Sequence, residues 1–219
     1  MISFMLEGGL FTWVVFGLLI VGGLMTLVRV VLARYVDFPG AGLCLTGLLV
    51  GLGLIGTMQG WRLALEAVAF ASAETKLALM QAGVDVGWNP TTLALIGAVV
   101  FAPLNGIALA RSRNRATGVI KALGWGCGTL AALSALLGWA VAVWLSGVLL
   151  TLGGGAEGVA VEAVVQAKTI EIGLLAGMFT GMLSSLLGLG GGLTLLVAGA
   201  TSGIRNRKKH MGEDADGDL

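Results

Sequence analysis

The chain has 219 residues, of which 57% are hydrophobic and 11% are charged, whereas soluble domains carry about 25% charged residues. This composition excludes an ordinary soluble domain. The formal net charge is +1, so the overall charge gives no reason to expect nucleic acid or a strongly acidic partner.

Apolar runs of transmembrane length recur along the chain. A run of about 20 apolar residues crosses a bilayer as a helix, because only a helix satisfies its own backbone polar groups there. The first run is too long for a secretory signal peptide and lacks the early positive charge of one. The sequence therefore predicts an all-α, polytopic membrane protein with five transmembrane helices, at about 10–32, 40–61, 91–109, 122–150 and 172–200.

The basic residues between these runs predict the orientation, since Lys and Arg are in excess on the cytoplasmic side of a membrane. Three basic residues fall on one side of the predicted membrane: Arg62, Lys76 and Lys168. The other ten fall on the opposite side: Arg29, Arg34, Arg111, Arg113, Arg115, Lys121, Arg205, Arg207, Lys208 and Lys209. We expect a multi-pass protein of the cytoplasmic (inner) membrane with its amino terminus outside and its carboxyl terminus inside.

The segment 62–89, between the second and third spans, mixes apolar and charged residues. This pattern predicts a helix that continues out of the membrane, a turn near Ser72 and a second helical stretch to Gln81. Pro90 then follows Asn89 at the start of the third span, where its missing N–H costs nothing.

Glycine is frequent, with 37 residues in the chain. Gly53, Gly56 and Gly60 lie three or four residues apart on the second span, which predicts a face where another helix packs closely. The fifth span contains a glycine cluster around Gly190, which predicts a kink or an unwound turn. Such breaks coordinate substrate in transporters, although a flexible kink or a close-packing site is the simpler interpretation.

An internal repeat is a further hypothesis, because residues 81–87 are echoed by residues 166–173 with one insertion. Each segment leads into a span of the same orientation, so the second hairpin would duplicate the first in parallel. Chance similarity in an apolar chain is the alternative. We accordingly expect a three-helix unit at 1–115, a two-helix hairpin at 116–204 and a charged, disordered cytoplasmic tail at 205–219.

The first three spans carry a family resemblance. Gly8 to Trp13 opens the first span, and Leu52 to Gly60 in the second contains a glycine–threonine–glycine pattern. Further matches follow in order at Ala67–Ala69, Met80–Val84, Asn89, Thr91, Thr92, Gly97, Pro103 and Asn105. Over about residues 8–115 the chain resembles the MotA/TolQ/ExbB proton-channel family. It lacks that family's large cytoplasmic insertion between the first two helices and adds two spans.

The resemblance implies a subunit of three helices with its amino terminus outside. Five such subunits would surround a pair of single-span partner helices, whose aspartate carries the proton. Thr57 and Thr91 or Thr92 would line the proton route, and Pro103 would kink the third helix.

The polar side chains of the second and third spans lead to a related expectation. Burying a hydroxyl or an amide in hydrocarbon costs free energy unless it finds a partner. Thr57, Thr91, Thr92 and Asn105 should therefore face a helix bundle or a wet interior. The family resemblance further implies that Thr57 and at least one of Thr91 and Thr92 approach each other on the inner face, the alternative being that Thr57 bonds to its own helix.

Carboxylates occur beside the spans and not deep within them. Asp85 and Glu171 are candidate carboxylates at the rim of a proton path, or solvated groups stabilised by the positive end of a helix dipole. A titrating carboxylate would otherwise come from a partner. Cys44 and Cys127 lie in apolar runs without metal-ligand spacing, and we expect neither a metal nor a cofactor.

Three functions remain open at this point. The leading hypothesis is a proton-channel-like or stator-like subunit that acts in a homo-oligomer with a single-span partner. The alternatives are a small secondary transporter of two parallel hairpins, and a membrane scaffold that does not conduct. An enzyme fits worst, because the sequence contains no recognisable nucleophile, phosphate loop or cluster of metal ligands.

Overall fold

A computed structural model describes residues 9–32, 40–111, 118–153 and 160–213 of the chain. The described residues form six helices: α1 Gly9–Leu32, α2 Ala41–Ala69, α3 Ala73–Gly87, α4 Asn89–Arg111, α5 Gly118–Gly153 and α6 Ala160–Glu213. We name the two ends of the bundle after nearby residues. The Trp61 end is where α1 and α4 begin and α2 ends, and the Arg29 end is where α1 and α4 end and α2 begins.

Five helical segments are long and apolar enough to cross a membrane, as the sequence predicts and as a multi-pass membrane protein requires. The third of these segments runs from Thr75 to Ala108 and includes both α3 and α4. The backbone N–H of Thr92 donates to the carbonyl of Trp88, so hydrogen bonding continues across the junction of the two helices. The orientation of the bundle in the membrane stays a prediction.

Helix α2 is the centre of the bundle. Over residues 42–61 every residue is buried or half-buried. Four helices, α1, α4, α5 and α6, pack against this stretch, and α3 lies against the last turns of α2. The predicted units 1–115 and 116–204 therefore share one packed bundle around α2. The duplication of the first hairpin stays a hypothesis.

Close glycine contacts join α6 to α2. A Cβ added to Gly51 would lie 2.6 Å from the carbonyl oxygen of Gly181, and one added to Gly181 would lie 2.8 Å from the carbonyl oxygen of Gly51. Small residues allow this approach where lipid supplies no hydrophobic drive for helix association. The same face of α6 carries further glycines against α2 or α5, namely Gly173, Gly177, Gly188 and Gly191.

The predicted break at the glycine cluster is not an unwound turn, because α6 is helical without interruption through residues 188–192. Gly188 packs on the backbone of α2, and Gly191 packs on Cys44 and Cys127, which holds this stretch in place. Gly190 faces open space. Helix α4 likewise continues through Pro103, so bends at Gly190 and Pro103 stay predictions.

The structure extends two of the predicted segments. The turn near Ser72 is confirmed, but the following helix continues beyond Gln81 to Gly87. Helix α6 continues to Glu213, so residues 205–213 are helical where disorder was predicted. Arg, Lys, Met and Glu are good helix formers, and they can extend a helix that the bundle has already nucleated. Residues 214–219 lie outside the described part.

Candidate functional site

Two buried threonines form the most distinctive polar contact between the helices. The Oγ1 atoms of Thr57 on α2 and Thr91 on α4 are 2.8 Å apart, and either hydroxyl can donate. Both side chains are 0% exposed. The expected approach of Thr57 to one of the two threonines of α4 is therefore observed, and the alternative in which Thr57 bonds to its own helix is not.

The predicted glycines of α2 make this approach possible. A Cβ added to Gly53 would lie 3.0 Å from the Cα of Thr91, and one added to Gly56 would lie 2.6 Å from the Cβ of Phe11. Gly60 faces the backbone of Gly87. All three glycines thus pack against helices of the same chain, and their contacts stabilise the subunit fold itself.

An indole pair covers the threonines toward the Trp61 end. Trp61 is one helical turn beyond Thr57, is 0% exposed, and donates from Nε1 to the carbonyl of Val84 at 3.2 Å. Its ring meets that of Trp88 edge to face, with centroids 5.3 Å apart. This arrangement separates the hydroxyl pair from the bundle surface at that end.

Three other threonine hydroxyls of the bundle bond locally. Thr26, Thr46 and Thr180 each donate to a carbonyl four residues earlier in their own helix, as transmembrane threonines commonly do. The Thr57–Thr91 contact differs because it joins two helices. A hydroxyl both donates and accepts, so this pair can relay a hydrogen bond, but it contains no group that carries charge near neutral pH.

The other two predicted pore-lining residues lie apart from this pair. Thr92 faces outward on α4 and is exposed in the single chain. Asn105 is 14 residues beyond Thr91, about 21 Å along a helix, and its Oδ1 accepts a hydrogen bond from Arg29 Nη1 at 2.8 Å. Thr92 is turned about 100° away from Thr91 around α4, whereas Asn105 lies on nearly the same face as Thr91 but at the opposite end of the bundle. The four residues therefore do not form one lining.

The candidate rim carboxylates are both exposed. Asp85 lies in the last turn of α3, and Glu171 lies well inside α6. Neither residue is at the start of a helix, because α3 and α6 are longer than predicted. Stabilisation of these carboxylates by the positive end of a helix dipole therefore does not apply. Glu171 does line a pocket of about 480 Å³ together with Arg62 at the Trp61 end.

Several polar contacts between helices were not predicted from the sequence. Ser184 Oγ on α6 lies 2.7 Å from the Gly47 carbonyl on α2 and 2.8 Å from the Ala131 carbonyl on α5. Arg29 was used only to predict orientation, yet it bonds to Asn105. The sequence could have predicted a polar partner for Arg29, because this charged residue lies three residues before the end of an apolar helix.

No candidate metal centre is found in the described part of the chain, where no three His, Cys, Asp or Glu side chains cluster. Cys44 is buried, Cys127 is half-buried, and both are free thiols. Comparison with known protein families, curated protein sequences and solved structures finds no match to this chain. The resemblance to the MotA/TolQ/ExbB family stays a prediction from its quoted residues.

Proposed function

We propose that the chain is a proton-channel-like subunit of the inner membrane, oriented N-out and C-in, which acts in a homo-oligomer with a single-span partner. The observation that carries the proposal is the contact between Thr57 and Thr91, which are buried and 2.8 Å apart. The resemblance to the MotA/TolQ/ExbB family predicts these two positions as hydroxyls of a proton route. Their mutual approach is what that role requires.

The lack of a carboxylate inside the spans defines what the partner must supply. The interiors of the spans carry hydroxyls and no carboxylate, so a titrating group must come from another chain or from the rim. Thr92 is exposed on α4, one residue beyond the buried pair. In the proposed assembly a partner helix docks on this face of α4, and its aspartate exchanges a proton with water while Thr57 and Thr91 orient the hydrogen bonds behind it.

A non-conducting scaffold is the second candidate function, and one observation favours it. Both hydroxyls of the pair are 0% exposed and bond to each other, so they satisfy the requirement for buried polar groups without any proton path. The two candidates agree on the fold and on the oligomer. They differ in whether the pair affects proton movement.

Proton flux in vesicles separates the two functions. The chain is to be reconstituted with the single-span partner that the proposal requires, and proton flux under an imposed pH gradient is compared between the wild type and Thr57→Val. Valine preserves the shape of threonine but cannot hydrogen-bond. We expect flux to fall about tenfold while the assembly keeps its size, because a buried hydroxyl left without its partner costs about 1–3 kcal/mol and about 1.4 kcal/mol corresponds to a factor of ten.

Thr180→Val is the matched control, since Thr180 is also buried and its hydroxyl bonds only within α6. Flux in that variant should match the wild type. Equal flux in Thr57→Val and wild-type vesicles would contradict a conducting role for the pair. Absence of flux in every preparation that contains both chains would favour the scaffold.

A further inference from the structure

A groove of about 670 Å³ runs between α1 and α6 toward the Arg29 end, away from the threonine pair. Leu24 and Val28 line it from α1, Leu189 and Leu193 line it from α6, and Leu45 of α2 lies at its floor. The four leucine and valine side chains of the two walls are 49–60% exposed. The groove therefore opens sideways, toward the region that lipid fills.

The groove is apolar along its length and polar at one end. Three polar side chains line it, of which Thr26 is buried and donates to its own helix. The other two are Arg29 and Asn105, which bond to each other at the Arg29 end. A guanidinium has five N–H groups, so Arg29 can donate to a phosphate in addition to the partners it already has.

The size of the groove discriminates between possible occupants. A transmembrane helix is about 10 Å wide and 30 Å long, so its volume exceeds about 2,000 Å³ and is several times that of the groove. Pockets for single small molecules measure about 300–1,000 Å³. An apolar groove of this size with a cation at one end complements an amphiphile that carries one anionic head group.

The location supplies the source of that amphiphile. The distribution of basic residues predicts that the Arg29 end faces the cytoplasm, and Arg34 follows α1 by two residues. Anionic lipids of the cytoplasmic leaflet attract basic residues near the membrane surface. We infer that this groove binds an acyl chain of an anionic phospholipid, whose phosphate accepts hydrogen bonds from Arg29.

The glycine cluster offers a steric test. Gly192 lines the groove, and a Cβ added there meets nothing within 4 Å. Phe at this position should fill the groove without disturbing the helix contacts. Gly190 is the matched control, because its Cβ also meets open space and it does not line the groove. The readout is native mass spectrometry of the full chain, titrated separately with phosphatidylglycerol and phosphatidylcholine of identical acyl chains.

We expect the wild type to retain one phosphatidylglycerol per chain about tenfold more tightly than phosphatidylcholine, a difference of about 1.4 kcal/mol. Gly192→Phe should weaken phosphatidylglycerol binding about tenfold, and Gly190→Phe should leave it unchanged. Arg29→Gln should abolish the preference between the two lipids, and Arg29→Lys should keep most of it.

Several results would overturn the inference. Equal retention of the two lipids by the wild type would show that Arg29 does not select the anionic head group. Unchanged binding in Gly192→Phe would place the lipid elsewhere on the surface. A bound protein chain that disappears from the spectrum of Gly192→Phe would identify a partner helix, or a second copy of this chain, as the occupant in place of lipid.

Discussion

The hydroxyls of Thr57 and Thr91 lie where water cannot reach them in the single chain. A buried hydroxyl without a partner costs about 1–3 kcal/mol, whereas two hydroxyls that bond to each other avoid most of that cost. Hydrogen bonds between membrane helices contribute about 0.6 kcal/mol on average and up to about 1.7 kcal/mol. The pair therefore makes a modest contribution to stability. It also favours one register of α2 against α4, because the two hydroxyls meet only in that register.

A double-mutant cycle measures this contribution. Thr57→Val and Thr91→Val should each lower the free energy of unfolding by about 1–3 kcal/mol, because each leaves one buried hydroxyl without its partner. The double variant should lose less than the sum, with a coupling energy of about 0.6–1.7 kcal/mol. Unfolding in mixed detergent micelles provides the measurement.

Thr26→Val is the control for the cycle, since Thr26 is 3% exposed and bonds within α1. Its effect should add to that of Thr57→Val without coupling. If Thr57→Val and Thr91→Val were also additive, the hydrogen bond between them would not contribute to the stability of the bundle.

The cost of burying a hydroxyl predicted that Thr57 faces the bundle, and the family resemblance predicted its approach to Thr91 or Thr92 without choosing between them. Sequence analysis could not predict that Asn105 pairs with Arg29. The two residues are 76 positions apart, and the helical period fixes which residues share a face, but not how each helix is rotated in the bundle. Thr92 shows the same limit, since one step along α4 turns it from the interior to the outside.

At the scale of helices, glycine contacts determine how α2 and α6 pack. The two backbones meet at Gly51 and Gly181, where an added Cβ would lie within 3 Å of a carbonyl oxygen. A carbonyl cannot rotate away as a flexible side chain can, so the helices themselves would have to separate. Each methyl group added here should therefore weaken the packing of the whole bundle.

Gly51→Ala tests this packing. We expect it to lower stability by about 1–3 kcal/mol, the usual cost of overpacking a core, as measured by thermal unfolding in detergent. Gly17→Ala is the matched control, because Gly17 lies in α1 and its Cβ meets nothing within 4 Å. Alanine there should be neutral or should stabilise by up to about 1 kcal/mol. Equal effects of the two substitutions would contradict the close approach of α2 and α6.

The sequence predicted close packing at Gly53, Gly56 and Gly60, but it could not distinguish contacts within one chain from contacts between chains. Gly56 meets Phe11 and Pro90 of the same chain, so Gly56→Leu should destabilise the subunit before it affects any oligomer. Helix ends were also predicted too short, because α3 and α6 continue beyond the apolar runs that hydropathy detects.

At the scale of the whole molecule, the ten-to-three division of basic residues predicts the orientation of the bundle. A reporter fused after Arg115 or after Lys209 should be active in the cytoplasm, and one inserted at Ser72 or at Gly154 should be active outside. An external signal at Arg115 would contradict this orientation and with it the placement of the Arg29 end at the cytoplasmic side.

The outer helices leave room for neighbouring subunits. In the most apolar window of α1 only 17% of the residues are buried, compared with 61% in α2. A lipid-facing helix and a helix at a subunit interface both have this pattern. The proposed function requires several chains around a partner, since no single chain supplies both the hydroxyls and the carboxylate.

The mass of the native assembly tests whether several copies of the chain assemble around a single-span partner. The chain is to be extracted from its membrane in mild detergent and weighed by native mass spectrometry, together with whatever chains copurify with it. We expect a ring with a mass of at least five times the 22.2 kDa of one chain, plus the mass of a small single-span partner. A monomer of 22.2 kDa, stable and without a partner under the same conditions, would contradict it.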